Sequence, residues 1–316
     1  PTKHLLRTHP GTGPGGHTDT RLSTPDETPE LRLAPVDSPE DIARRVEREN
    51  RRLDDSRSIQ MQNSLAPFRV GSVPYFNSVP LTRGLEEEVE FMLPTELAVK
   101  LANDELDAAL VSVTEVLLND RYDVLDSIAV ASLGEVYSVF LAHDIPLDEV
   151  TEVWCDPASL TSVNLLRVLL AERGQKVEFR KLDEYANAAA KPAVLLIGNP
   201  AIDFRRDNSS HTIWDLGSAW HELMNLPFVF AVWALRRGVE NEALRSQLRK
   251  ARDFGMDTLD HIINTSDEYD LDFRKDYLGW HIHFHLGADE KRGIARFVEL
   301  LKKHQESPVF EPRYIV

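Results

Sequence analysis

The pattern of apolar and polar positions changes character near Phe68. Residues 1–66 carry no sustained apolar period and hold seven of the chain's 18 prolines, which predicts an extension that is disordered or loosely attached. One helix is predicted inside it at 39–53. Ser38 can cap it, Pro39 suits its first turn, and Ile42, Val46 and Leu53 share a face. From Phe68 onward, short apolar runs alternate with longer amphipathic stretches. Strands are predicted at 68–73, 107–113, 127–131, 136–142, 152–155, 177–180, 194–197 and 227–234. Helices are predicted at 96–103, 159–173, about 241–263 and about 289–303; Leu165, Leu166, Leu169 and Leu170 form the apolar side of the second. Pro74 and Pro80 bracket a loop, and no segment repeats another. Strands alternating with helices predict an α/β architecture with mostly parallel sheets. In such sheets ligands bind beyond the carboxyl ends of the strands.

The residues that follow the predicted strands are therefore the ones to inspect. Segments 71–78, 94–97, 111–115, 159–162 and 197–200 are rich in hydroxyl and amide groups and contain no Lys or Arg. They contribute Tyr75, Asn77, Ser78, Thr95, Ser112, Ser159, Thr161, Ser162 and Asn199. Such a site binds an anion through neutral donors and through the free N–H groups at helix starts. Each Ser or Thr alone also reads as a helix cap. It is their recurrence on one side of successive strands that points to a site.

Length and charge narrow the classes. At 316 residues the chain can form two lobes, each with its own core. Its net charge of −16 argues against nucleic acid and anionic membrane as partners. The Arg-dense stretch at 44–52 is interleaved with Glu47 and Glu49, as on a solvated helix face. No run approaches the roughly 20 apolar residues that span a bilayer. The longest, 226–235, stops at Arg236 and Arg237 and reads as a buried strand. The first 30 residues lack the apolar core of a secretory signal, so a cytoplasmic location is expected. Cys155 is the single cysteine, so no intrachain disulfide forms, and its apolar neighbours make it a packed thiol.

Several chemistries are set aside. The glycines at 11–16 surround Pro14 with no strand before them, and Gly71 stands alone after its strand, so neither reads as a phosphate or dinucleotide loop. There is no GxSxG motif. His281, His283 and His285 alternate and would share one face of an extended segment, and three imidazoles can hold zinc. No carboxylate or cysteine at helical or hairpin spacing closes that site, so neither a metal nor a cofactor is expected.

One family pattern runs through these segments. Gly71, Tyr75, Phe76, Asn77, Pro80 and Leu81 stand in a spacing that resembles the opening motif of the chorismate dehydratases of the futalosine pathway of menaquinone biosynthesis. The resemblance continues through 94–97, 107–112, Ser138-Val139, 159–165, 196–198, Asp215-Leu216-Gly217, Trp220 and the run 226–233, and so covers about 68–303. Asn199 stands where that family commonly has Asp, and Val113-Thr114-Glu115-Val116 varies its usual Ser-Ile-Glu-Tyr. The resemblance implies a two-lobed, periplasmic-binding-protein-like (type II) fold with a hinge and an interlobe cleft. The first lobe would hold 68–142 and 232–316, and the second 143–231. It implies a cofactor-free hydro-lyase that converts chorismate to 3-[(1-carboxyvinyl)oxy]benzoate. Asn77 would contact the departing hydroxyl or the enolpyruvyl group. Ser112 and Thr95 would hold one carboxylate, and Thr161 and Ser162 the other. Tyr75 and Phe230 are candidate walls for the ring. The proton acceptor is left between Glu115 and a carboxylate of the substrate. The rival functions are a solute-binding or ligand-sensing protein of the same fold, and the related 1,4-dihydroxy-6-naphthoate synthase.

Overall fold

The computed structural model describes residues 44, 47, 48, 50–52, 54–57, 61, 64–156, 158, 160–207 and 210–316. Most of the predicted N-terminal extension, and most of the helix predicted at 39–53, lie outside them. The described residues 44, 47, 48 and 50–52 are helical. Described residues just before Phe68 touch the folded part. Met61 and Leu65 join the core. The Ser64 and Leu65 amides donate to Glu88 at 3.2 and 2.8 Å. Asp54 receives Arg83 at 2.6 Å and His261 at 2.7 Å.

The first part of the chain lays down β1 (Val70–Ser72), β2 (Val89–Phe91), α1 (Pro94–Ala102), β3 (Ala108–Ser112), α2 (Val113–Leu118) and β4 (Tyr122–Ser132). A second unit follows, with β5 (Val139–His143), β6 (Glu152–Cys155), α3 (Leu160–Glu172), β7 (Glu178–Lys181), β8 (Ala193–Ile197), α4 (Gly198–Asp207), β9 (Thr212–Asp215) and α5 (Leu216–Met224). The chain then returns as β10 (Phe228–Arg236), α6 (Glu242–Asp257), α7 (Leu259–Thr265) and α8 (Leu271–Asp276). One π-helical turn (Tyr277–His281), α9 (Ala288–His304) and β11 (Tyr314–Ile315) complete it.

Two sheets result, ordered β2-β1-β3-β10-β4-β11 and β7-β6-β8-β5-β9. They are mixed, where mostly parallel sheets were expected. The antiparallel strands have one cause. β5 runs against β8 and β9, and β10 runs against β3 and β4. These are the two strands that arrive from the other sheet, and so they enter in the reverse sense. Both sheets therefore share one order, with the incoming strand between the third and fourth of their own. The chain changes sheets at 133–138 and 225–227. β5 thus pairs in the second sheet, and all of β10 in the first, so the exchanges fall a few residues earlier than 142 and 231. Apolar runs reveal strands but not their partners.

Local chemistry fixes the details. A Cβ on Gly71 would lie 2.4 Å from Leu97 and 2.8 Å from Leu106, so glycine lets α1 lie close against β1. β4 is longer than predicted because it continues through a bulge. Ser127 sits there at φ 74, and the polar pair Asp126-Ser127 interrupts the apolar run. The single helix predicted at 241–263 is two, broken at Thr258.

At the base of the first sheet Asp107, 7% exposed, takes donors from two neighbouring strands, at the start of β1 and the end of β10. It accepts from the Arg69 amide at 2.9 Å, the Arg69 guanidinium at 3.0 Å and Arg236 at 2.7 Å. Burial pushes its carboxyl up, but these hydrogen bonds outweigh that and hold it below the usual carboxylate range.

Candidate functional site between the two sheets

Beyond the carboxyl ends of β1, β3 and β8 lies an inner cavity of about 80 Å³. Tyr75, Asn77, Ser112, Thr161, Ser162 and Phe230 all line it. It opens past Pro94, Val111, Ser112, Ala158 and Leu160 into a cleft of about 570 Å³. Thr95, Glu115, Asp156, Arg180 and Lys181 are among the residues that line this outer cleft.

Asn77 owes its position to the short 3₁₀ helix Phe76–Leu81. Its Nδ2 donates to the Tyr277 hydroxyl at 3.2 Å, and that hydroxyl donates to Ser138 Oγ at 2.7 Å. Tyr277 is buried and stacked between Phe76 and Phe273, with interplanar angles of 14° to each. One amide N–H is thereby fixed by a rigid ring. No other described residue takes Asn77 Oδ1.

Ser112, at the end of β3, and Thr161, in the first turn of α3, meet hydroxyl to hydroxyl across the two units. Thr161 Oγ1 also accepts from the Thr114 amide at 3.1 Å and donates to the Thr114 hydroxyl at 3.0 Å. This knot is a polar seam between the lobes. Ser162 follows it on the same helix turn and is buried. The first-turn amides of α3 form the positive end of a 13-residue helix beside the cavity. Ser159 lies outside the described residues.

Tyr75 lies flat on Gly198. A Cβ there would be 3.2 Å from three ring carbons, and φ is +62, so only glycine serves both demands. Burial, reinforced by Asp156, pushes the Tyr75 phenol well above its ordinary value, so it stays neutral.

Two predicted contacts do not reach the cavity. Ser78 turns back into its own loop and donates to the Val73 and Tyr75 carbonyls, at 2.6 and 2.7 Å. Asn199 joins the lobes instead. It accepts from the Phe76 amide at 3.2 Å and donates to Glu268 at 3.0 Å. Both side chains already satisfy their backbone neighbours, and neither lines the cavity or the cleft. Thr95 does line the cleft, but at its exposed mouth.

Other site residues escaped the sequence reading. Asp156, 1% exposed, faces the cleft and accepts from the Ala158 amide at 2.8 Å and the Tyr185 hydroxyl at 3.0 Å. Burial holds its carboxyl above the usual range. Burial does the same to Glu115, the acceptor candidate already named from the sequence, whose Oε1 accepts from Asn119 at 2.9 Å. Cys155, next to Asp156 in the chain, is pushed up to about 12 by burial, the state of a packed thiol and not of a nucleophile. Arg180 and Lys181 correct the expectation of a site with only neutral donors. They come from β7, whose strand end gave no hydroxyl-rich signal. Arg180 is paired with Glu152 and Glu178, at 2.6 and 3.2 Å. Ser138 and Tyr277 were invisible as partners because 139 residues separate them.

Residues 68–303 match a protein family described as menaquinone biosynthesis. The chain is 32% identical over 264 residues to the chorismate dehydratase of Thermus thermophilus, covering 75% of this chain and 96% of that protein. It is 27% identical over 234 residues to the chorismate dehydratase of Campylobacter jejuni, covering 72% and 91%. Among solved structures, protein AF1704 from Archaeoglobus fulgidus superposes with a TM-score of 0.60 at 18% identity, over 75% of this chain and 97% of that one. The alkanesulfonate-binding protein SsuA from Xanthomonas axonopodis pv. citri does so with a TM-score of 0.57 at 13% identity, over 76% and 94%. At these identities the structural likeness concerns the fold alone, which is the two-lobed binding-protein type. No helix among the described residues is long and apolar enough to cross a membrane.

Proposed function

The chain belongs to the menaquinone-biosynthesis family, and from that premise we propose that it is a chorismate dehydratase, a carbon–oxygen lyase that releases 3-[(1-carboxyvinyl)oxy]benzoate and water. The observation that carries the reading is Asn77. It stands in the opening motif of the family match, at the wall of the inner cavity, with one amide hydrogen anchored and its oxygen free.

The chemistry asks little of the protein. Chorismate loses a ring proton from the carbon bearing the enolpyruvyl ether and the hydroxyl from the next carbon, and the ring becomes aromatic. The reaction is strongly downhill and moves no electrons to an acceptor, so the protein's contribution is positioning and charge stabilisation. The substrate carries two carboxylates. Ser162 and the first-turn amides of α3 suit one of them, with the seam of Ser112 and Thr161 beside it. Lys181 and Thr95, at the outer cleft, suit the other. The inner cavity of about 80 Å³ takes only part of such a molecule, and the adjoining 570 Å³ provides the rest. A volume of that size is ordinary for a small-molecule site, at about 300–1,000 Å³. Asn77 would hydrogen-bond the departing hydroxyl or the enolpyruvyl oxygen while Tyr75 and Phe230 flank the ring. We place the enzyme in the cytoplasm, on the futalosine route. A single cysteine, which permits no intrachain disulfide, is consistent with a reducing compartment.

The test is direct. Chorismate incubated with the purified protein should yield a species lighter by one water, read by liquid chromatography with mass detection. Asn77→Ala should lower kcat by ~100-fold or more with little change in Tm. Chorismate bound but left intact by well-folded protein would favour a binding protein of the same fold.

A further inference from the structure

The histidines near the C-terminus acquire a partner that their spacing hides. The segment at 282–285 is extended and pairs with β4: the His283 amide donates to the Ala131 carbonyl at 2.9 Å, and the Ala131 amide to the His283 carbonyl at 3.0 Å. Ile282 and Phe284 are buried, so alternation places His283 and His285 together on the other face. Their rings stack with centroids 4.3 Å apart. His281 is separated from them, because it ends the π-helical turn and its Nδ1 faces the Glu135 carbonyl at 3.0 Å. The missing carboxylate comes from Glu290, in the first turn of α9. Its Oε1 lies 3.1 Å from His283 Nε2 and 3.3 Å from His285 Nε2. These three ligand atoms all lie within 4.8 Å of one another.

We propose that His283, His285 and Glu290 form a divalent-cation site, suited to Zn²⁺, that pins the 282–285 segment to the start of α9. The donor set, two imidazoles and one carboxylate, is one that zinc accepts. Bonds of about 2.0–2.1 Å in a tetrahedron place neighbouring ligands about 3.3 Å apart, close to the two separations found here. The carboxylate is preset. Glu290 is 4% exposed, and its Oε2 accepts from the Gly287 amide at 2.8 Å, which leaves Oε1 facing both rings. The nearest lysine on the helix does not compete, since Lys291 pairs with Asp126 at 2.7 Å. His285 is largely exposed and leaves an open side for entry and for a fourth ligand from solvent. None of the three lines the cavity or the cleft, so the site is separate from the proposed chemistry. Its mechanical consequence lies along α9. That helix packs Gly293 against the Pro227 carbonyl at the return crossing, and through Lys303 it reaches Glu172 of α3 at 2.7 Å.

The experiment is calorimetric titration of Zn²⁺ into tag-free, chelator-stripped full-length protein, beside His285→Ala. The wild type should bind one equivalent that His285→Ala lacks or holds at least ~100-fold more weakly, and Zn²⁺ should raise the Tm of the wild type alone. Because His285 is exposed, the variant should fold and keep its dehydratase turnover. Absence of that equivalent in the wild type would overturn the proposal. So would identical Zn²⁺ binding and an identical Tm shift in the variant.

Discussion

Burial decides the ionisation of the carboxylates at this site, and that can be tested one residue at a time. Glu115 carries a carboxyl raised by burial, so the folded state binds its proton more tightly than the unfolded chain. The penalty for charging it is absent below the unfolded value of 4.5 and complete once the pH exceeds the folded value. Glu115→Gln keeps an oxygen for Asn119 and removes the charge. Its Tm should therefore exceed that of the wild type at pH 7, and the gap should close below pH 4.5, as followed by thermal melts across pH. Glu115 lines the outer cleft and not the inner cavity that holds Asn77, so turnover should stay within ~10-fold. A fall of ~100-fold or more, the size expected for loss of a general base, would make Glu115 the proton acceptor.

Single elements depend on polar clasps that join distant strands. Asp107 binds the edge of β1 to β3 and β10 through Arg69 and Arg236. Asp107→Asn takes from both guanidinium groups the buried anion they share and leaves Arg236 only Asp104, at 3.6 Å. It should cost about 2–3 kcal/mol, and so lower the Tm by roughly 5 °C or more. Here the sign of the pH dependence is opposite to that of Glu115. The folded carboxyl sits below its usual range, so its stabilisation is present above 3.8 and is lost as the pH falls through the folded value. The Tm gap between wild type and variant should be full at pH 7 and narrow toward pH 3. A gap that persists undiminished at low pH would assign the loss to packing instead.

At the scale of the molecule, the lobes are joined by two chain crossings and by a few polar contacts that reach across them. Thr161 is the centre of one such seam, with Ser112, Thr114 and the Thr114 amide around it. Asn199 forms another with the Phe76 amide. Thr161→Val keeps the shape and deletes the hydroxyl, which leaves a buried amide unpaired. The variant should populate a more open arrangement, visible as a larger radius of gyration by small-angle X-ray scattering, and KM for chorismate should rise ~10-fold. An unchanged radius together with an unchanged KM would make the seam incidental to closure.

The sequence by itself determined the strands and helices with strong apolar runs, from 107–113 to 289–303, because burial imposes its period on the residues. It also marked Tyr75, Asn77, Ser112, Thr161 and Ser162, which end or follow strands and which the structure gathers at one cavity, and the family motif named the chemistry they suit. Only the tertiary structure decided which of these side chains remain free. Ser78 and Asn199 carry the same chemical signal as Asn77, yet their hydrogen bonds close on the protein's own groups: two carbonyls for Ser78, the Phe76 amide and Glu268 for Asn199. It also decided which strands run backwards, because direction follows from where β5 and β10 arrive and not from their composition. The pairings of Asp156 with Tyr185, of Tyr277 with Ser138 and of Glu290 with two histidines had no local signature. A hydrogen bond or a ligand cluster needs proximity, and proximity between residues far apart in the chain, or across a turn of no regular spacing, exists only once the elements have packed.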